Sequence, residues 1–246
     1  MIIVATDSLR GYGLNRIFQF VRDAGYDGVE LVLDSHDYDS QNPEYVRGLS
    51  EQYGVPVVAV RTYKNSTIPK TVKTLEMASK IGASIVIIEP PKLFDFKYVE
   101  WMKQDVPKLR KKYKLSIALK NSAAETLLGF LPGRAMSNIG DLKNFKEVCL
   151  DTAYLYSKKI DLMRAYASLK GTLVMIHFSN VHKGKPHSLP QEGVLPLESL
   201  LTKLKKDNYK NAISLIVDPR VLNVGNDEKL LATLKEIKDF YQKFFQ

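Results

Sequence analysis

Long apolar runs are the plainest thing this sequence lacks. No stretch of about 18 consecutive apolar residues occurs, which leaves no transmembrane helix to place. The opening residues, MIIVATDSLRGYG, have neither a basic leader nor a long apolar stretch, so a signal peptide is not expected and Ile2-Ile3-Val4 reads as a first strand. Cysteine is nearly missing too. The single Cys149 excludes an internal disulfide and lies inside an apolar run, as a buried thiol would, and cytoplasm is the expected location. No Pro/Gly/Ser-rich linker, low-complexity tract or shift in composition divides the chain, so residues 1–246 are expected to form one domain.

What is present is ordinary for a globular protein: 45% hydrophobic and 26% charged residues. The charge is one-sided, with 36 Lys and Arg against 27 Asp and Glu, a formal +9. Basic surfaces attract phosphates and nucleic acid. Here the lysines are dispersed, and the densest cluster, Lys108 to Lys114, reads as a helix C-terminus where cations suit the macrodipole.

Eight short apolar runs recur along the chain: 2–4, 29–33, 55–60, 84–88, 115–119, 148–150, 173–176 and 212–217. Most are continuously apolar, as strands covered on both faces should be. The intervals carry helical periodicity at 15–24, 68–81, 96–113, 162–169, 197–206 and 227–245. Eight alternating βα units in this length predict a single (β/α)8 TIM barrel, with a doubly wound sheet as the alternative. The residues just past each run then gather at one mouth: Thr6 and Asp7, Glu30 with Asp34 and His36, Arg61, Glu89, Lys120 and Asn121, Asp151, His177, and Asp218 with Arg220. That many polar strand ends predict a polar pocket.

Five segments give the pattern a family likeness. AGYDGVELV (24–32), MASKIGASIVIIEPP (77–91), VCLDTAYLY (148–156), VMIHFSN followed by GKPH (174–187) and NYKNAISLIV (208–217) resemble, in order and spacing, units of the xylose isomerase-like barrel superfamily. That superfamily includes sugar isomerases and epimerases and the endonuclease IV group. The resemblance implies one divalent metal (Mn, Mg, Co or Zn) held by carboxylates ending the fifth, sixth and eighth strands and a His ending the seventh. Only Asp151 and His177 match. Lys120, in ALKN, and Ile216, in SLIV, stand where Glu is expected, although Asn121 is kept. Tyr154 stands where a His follows the Asp motif, and Asn180 where an Asp follows the His motif. Arg61 and Glu89 occupy strand ends where the endonuclease IV group has histidines, and His187 matches a downstream His. An ammonium has no lone pair to give a metal. A metal is therefore disfavoured, with Asp151 and His177 as its remaining candidates.

Two readings of Lys120 stay open, beside a metal held instead by residues such as Glu30, Asp151, His177 and Asp218. Lys120 replaces the metal's charge and pairs with Asp151, or it is a desolvated base or Schiff-base nucleophile of lowered pKa. In the second reading Asp151, His177 and Glu30 are its proton-transfer partners. The loop after the seventh run, with Lys183, Gly184 and Lys185, suits a sugar phosphate or is an ordinary basic loop. The expected ligand is small and carbohydrate-like, contacted by Arg61, Glu89, Asn121, Tyr154, Asn180, Lys183, Lys185, His187 and Asp218. An isomerase/epimerase-like barrel is the first expectation. A non-catalytic ligand-binding barrel and an endonuclease IV-like nucleic-acid-binding protein are the alternatives.

Overall fold

The eight apolar runs all become strands of one closed barrel, each within two residues of its expected ends. They are β1 (Ile2–Ala5), β2 (Val29–Val32), β3 (Val57–Arg61), β4 (Ile85–Ile88), β5 (Ser116–Lys120), β8 (Val148–Asp151), β9 (Leu173–Phe178) and β12 (Ala212–Leu215). Every neighbouring pair is parallel, and β12 closes onto β1. Two short hairpins sit outside the barrel: β6 (Thr126–Leu127) with β7 (Leu131–Pro132), and β10 (Asn180–His182) with β11 (Lys185–Ser188). The computed structural model describes every residue except 64, 128–130 and 246.

Alternation along each strand sorts the side chains. One set, including Val4, Leu31, Val60, Val86, Ile117, Leu150, Ile176 and Leu215, packs outward beneath the helices as the main core. The other set fills the lumen: Ile3, Ala59, Ile85, Ile87, Ala118, Cys149, Met175 and Ala212. The outer layer is α1 (Leu14–Asp23), α2 (Pro43–Tyr53), α3 (Ile68–Ile81), α4 (Phe96–Gln104), α5 (Val106–Tyr113), α6 (Ile139–Phe145), α7 (Thr152–Ser157), α8 (Leu162–Leu169), α9 (Leu197–Lys206) and α10 (Asp227–Phe245).

Three differences from the sequence expectations have physical causes. The helix expected over 96–113 is two, because the chain turns at Asp105 and Pro107 has no N–H to continue the ladder. Helix α2 is unforeseen because only Val46 and Leu49 of it are buried, which leaves a faint apolar stripe. Its ends were nonetheless written in the sequence. Asn42 Oδ1 accepts from the Glu44 and Tyr45 amides, Pro43 opens the first turn, and Gly54 closes it at φ 65°. The basic segment after β9 is a hairpin, with Lys183 and Gly184 at its tip.

The AGYDGVELV segment has a steric reason for its second glycine. A Cβ on Gly28 would lie 2.6 Å from the Pro56 carbonyl oxygen, so the chain entering β2 passes β3 at a distance only glycine allows.

Candidate active site at the barrel mouth

Lumen-facing positions turn from apolar to charged at the C-terminal ends of the strands. Glu30, Arg61, Lys120, Asp151 and His177 are all buried there, with Glu89 and Asp7 partly open above them. Isolated charges at such depth would be costly, and each is paired. The pairing falls into two layers.

The lower layer is centred on His177. Its Nε2 lies 3.1 Å from Glu30 Oε2 and its Nδ1 lies 3.7 Å from Asp151 Oδ2, with all three side chains fully buried. Burial alone would push the imidazole down, but the facing Cys149, Glu30 and Asp151 hold it well above the ordinary histidine value. Burial pushes the Cys149 thiol up, so it stays neutral and the two carboxylates hold the charge. Ser214 Oγ donates to Glu30 Oε2 at 2.6 Å, and Arg61 Nε lies 2.9 Å from Oε1. Burial opposes ionisation of Glu30, yet His177 and Arg61 draw its carboxyl down to about 2. Asp151 Oδ1 accepts from the Tyr154 amide at 3.2 Å and caps α7.

The upper layer faces the open mouth. Arg61 reaches up to Asp7 at 2.6 Å, and Lys120 Nζ donates to Glu89 Oε1 at 2.8 Å. This corrects the expectation that Lys120 pairs with Asp151. The strand register sets Cys149, not Asp151, beside Lys120, while Ile88 beside Leu119 brings Glu89 level with it. It also corrects the lowered pKa. Burial works to lower Lys120, but the Glu89 carboxylate outweighs it and the ammonium is held above its ordinary value. Lys120 is a fixed cation, with Nζ 5.1 Å from the centre of the Tyr154 ring.

Two lobes open above this layer and share Asp7, Arg10, Arg61 and Tyr154. The first, about 690 Å³, adds Lys185, His187, Asp218, Arg220 and an apolar wall of Pro186, Ile216, Val217, Pro219 and Val221. The second, about 480 Å³, adds Asp34, His36, Tyr63, Glu89, Lys120 and Arg134. Both fall in the size range of small-molecule sites.

Several expected contacts lie elsewhere. Glu30, Asp151 and His177 line neither lobe and form the floor beneath them. Asn121 is framework: its Nδ2 donates to the Asp151 carbonyl at 2.9 Å and its Oδ1 accepts from the Asp151 amide at 2.6 Å. Asn180 is framework as well, holding the Val181 and Leu195 amides at 2.8 and 2.9 Å and the Pro190 carbonyl at 3.0 Å. Lys183 is exposed at the hairpin tip and lines neither lobe. Asp218 lines the first lobe with its carboxylate turned onto Arg220, at 2.8 Å from Nε. Arg10 was missed, because it lies five residues beyond β1, just past a short 3-10 turn (Thr6–Leu9) that no strand pattern announces.

The side chains present do not fit the metal that the family likeness implies. Lys120, at one position where that likeness expects a ligand, bonds its Nζ to Glu89, and Ile216, at another, has no donor atom in its side chain. The two ring nitrogens of His177 face two different carboxylates across the barrel. Among the described residues no three His, Cys, Asp or Glu side chains are placed to hold a metal ion.

A parallel eight-stranded barrel with its charged groups at the C-terminal mouth defines the class, a (β/α)8 TIM barrel. The sequence profile of the xylose isomerase-like TIM barrel matches residues 18–238, and the chain belongs to that family. An uncharacterized protein of Mycobacterium leprae (strain TN) is 31% identical over 113 residues, covering 42% of this chain and 40% of that one. The matched part is thus less than half the length of that relative. A xylose isomerase domain containing protein from Salmonella typhimurium LT2 shares the fold at TM-score 0.76 and 16% identity, over 98% of this chain and 97% of that one. The 3-keto-D-glucoside 4-epimerase of E. coli, in its apo form, matches at TM-score 0.72 and 14% identity, over 97% and 98%.

Proposed function

We propose that the protein is an isomerase/epimerase-like enzyme for a small polyhydroxylated ligand, working without a divalent metal. The observation that carries this reading is Lys120, held as an ammonium by Glu89 and lining the second lobe where the family likeness expects a metal ligand. With Arg61 beside it, the mouth has two fixed cations where a metal would polarise a substrate oxygen. The lower layer keeps this arrangement rigid, since every charge in it is paired with another. The fold relationship to a sugar epimerase supports a carbohydrate-like substrate.

The ligand's chemistry is narrowed by Arg10 and Lys185. Both line the first lobe and neither has a carboxylate partner among the described residues. They suit a phosphate or carboxylate on the sugar.

The test is turnover of a panel of aldoses, ketoses and their phosphates, with Mn²⁺ and with EDTA. The reading expects activity that EDTA leaves intact and Lys120→Met removes. A panel that gives neither turnover nor a shift in melting temperature counts against it. Ligand-induced stabilisation with no turnover favours instead a non-catalytic binding barrel. The mutual pairing of Glu30, Asp151 and His177 is the observation that speaks for that second reading.

A further inference from the structure

Resting on the enzymatic reading above, we infer that His187 is the acid–base catalyst of this mouth and that it moves a proton along one face of the substrate. The reaction class is then aldose–ketose isomerisation.

The inference starts from which groups are free. In the two lobes, Asp7 is paired with Arg61, Glu89 with Lys120, Glu125 with Arg134 and Asp218 with Arg220. Asp34 turns one oxygen back onto the His36 amide, 2.9 Å away, and His36 is exposed at the rim. The buried imidazole of His177 is enclosed by carboxylates below the floor. His187 differs from all of these. It is half-buried, it lines the first lobe together with Arg61 and Tyr154, and no ion pair engages it among the described residues.

Its placement is enforced. The residue sits at φ 57°, in the left-handed region that is uncommon for residues other than glycine. The backbone is pinned from the next strand's loop, where the Asp218 amide donates to the His187 carbonyl at 2.8 Å. The ring is pinned through Nδ1, 3.2 Å from the fully buried Ser179 hydroxyl, and its edge meets the Tyr154 ring with centroids 4.9 Å apart. No hydrogen bond engages Nε2 among the described residues, and in the tautomer whose Nδ1–H donates to Ser179 Oγ it carries a free lone pair. Burial, with Lys120 adding to it and Asp151 opposing, lowers the imidazole below the ordinary histidine value, so it is neutral at neutral pH.

The step balances with groups already present. His187 Nε2 takes the proton from the carbon next to the substrate carbonyl. The C–H electron pair forms the C=C bond, and the carbonyl π pair moves to oxygen, whose negative charge faces the Lys120 and Arg61 cations. The imidazolium then returns its proton to the neighbouring carbon of the enediol, and the hydroxyl proton passes to the other oxygen. No oxidant or co-reactant is consumed. Because one imidazole carries the proton both ways, it leaves and returns on the same face of the substrate. Epimerisation by proton transfer needs a second carrier on the opposite face, which this single-imidazole step does not use.

The experiment uses the full chain and the same panel, followed by NMR in D₂O. The expected result is aldose–ketose interconversion, with deuterium entering one stereochemical position only. His187→Asn suits the left-handed backbone and should lose roughly 10²- to 10⁴-fold in kcat with little change in KM. His187→Gly should regain part of that rate when imidazole is added. Retained kcat in His187→Asn, or products inverted at a single carbon, overturns the inference while leaving the enzymatic reading standing. Wild-type protein inactive on the whole panel overturns both.

Discussion

His177 Nε2 and Glu30 Oε2 face each other at 3.1 Å across the barrel lumen, on strands separated by β12 and β1. The imidazole is held well above its ordinary value and the carboxyl is drawn down to about 2. Each shift makes folding depend on pH. A raised His177 contributes its full stability below about 6.5 and loses it as pH climbs through the folded value. A lowered Glu30 contributes above about 4.5 and loses it as pH falls towards 2. Chemical unfolding across pH should therefore show a plateau between these limits, with a decline on each side.

Removing one partner of this array is a sharper test. Glu30→Gln leaves Arg61 with Asp7 alone and leaves His177 without its carboxylate at 3.1 Å. Breaking a buried pair in this way costs about 3–5 kcal/mol. The variant should also lose the acid-side decline assigned to Glu30, which denaturant titrations at two pH values would reveal.

The barrel was legible because its strands are buried on both faces, and such strands read as continuous apolar runs whatever lies around them. The polar mouth was legible for the same reason, as each run ends abruptly in a charged residue. Pairing was not. Whether Lys120 meets Asp151 or Glu89 depends on inter-strand register, and a shift of two residues along β8 decides it. Sequence alone also cannot tell a lumen position from a ligand-facing one. Asp151 and His177 end their runs as visibly as Lys120 does, yet they lie under the floor while Lys120 lines the second lobe. His187 matches a downstream His of the family, but its φ of 57° and its contact with Ser179 are not encoded in spacing.

Lys120→Met should separate stability from catalysis. Glu89 keeps about a quarter of its side chain exposed, so solvent relieves it once the ammonium is gone, and the fold should survive. The loss falls on the developing oxyanion. Removing one such stabilising group costs about 10²- to 10³-fold in kcat, and steady-state kinetics on the active member of the panel would measure it. An unchanged kcat would remove Lys120 from the mechanism.

Gly28→Ala tests the fold away from the chemistry. Its new Cβ would stand 2.6 Å from the Pro56 carbonyl oxygen, which is backbone and can yield only by moving β3. Overpacking of that kind costs about 1–3 kcal/mol. Arg61 ends the displaced strand, so activity should fall along with the melting temperature.

Arg10 and Lys185 bear on what the ligand carries. Two cations that line the first lobe with no carboxylate partner among the described residues should prefer a phosphorylated sugar to its neutral parent. Both are exposed, so their attraction is screened by salt over about 8–10 Å at ionic strengths near physiological. Thermal shift with matched sugar and sugar phosphate, at low and high salt, reads this directly. The phosphorylated member should give the larger shift, the difference should shrink as salt rises, and Lys185→Ala should reduce it without altering the response to the neutral sugar. Equal shifts from both ligands at low salt would place the anion elsewhere and leave the first lobe to its apolar wall of Pro186, Ile216, Val217, Pro219 and Val221.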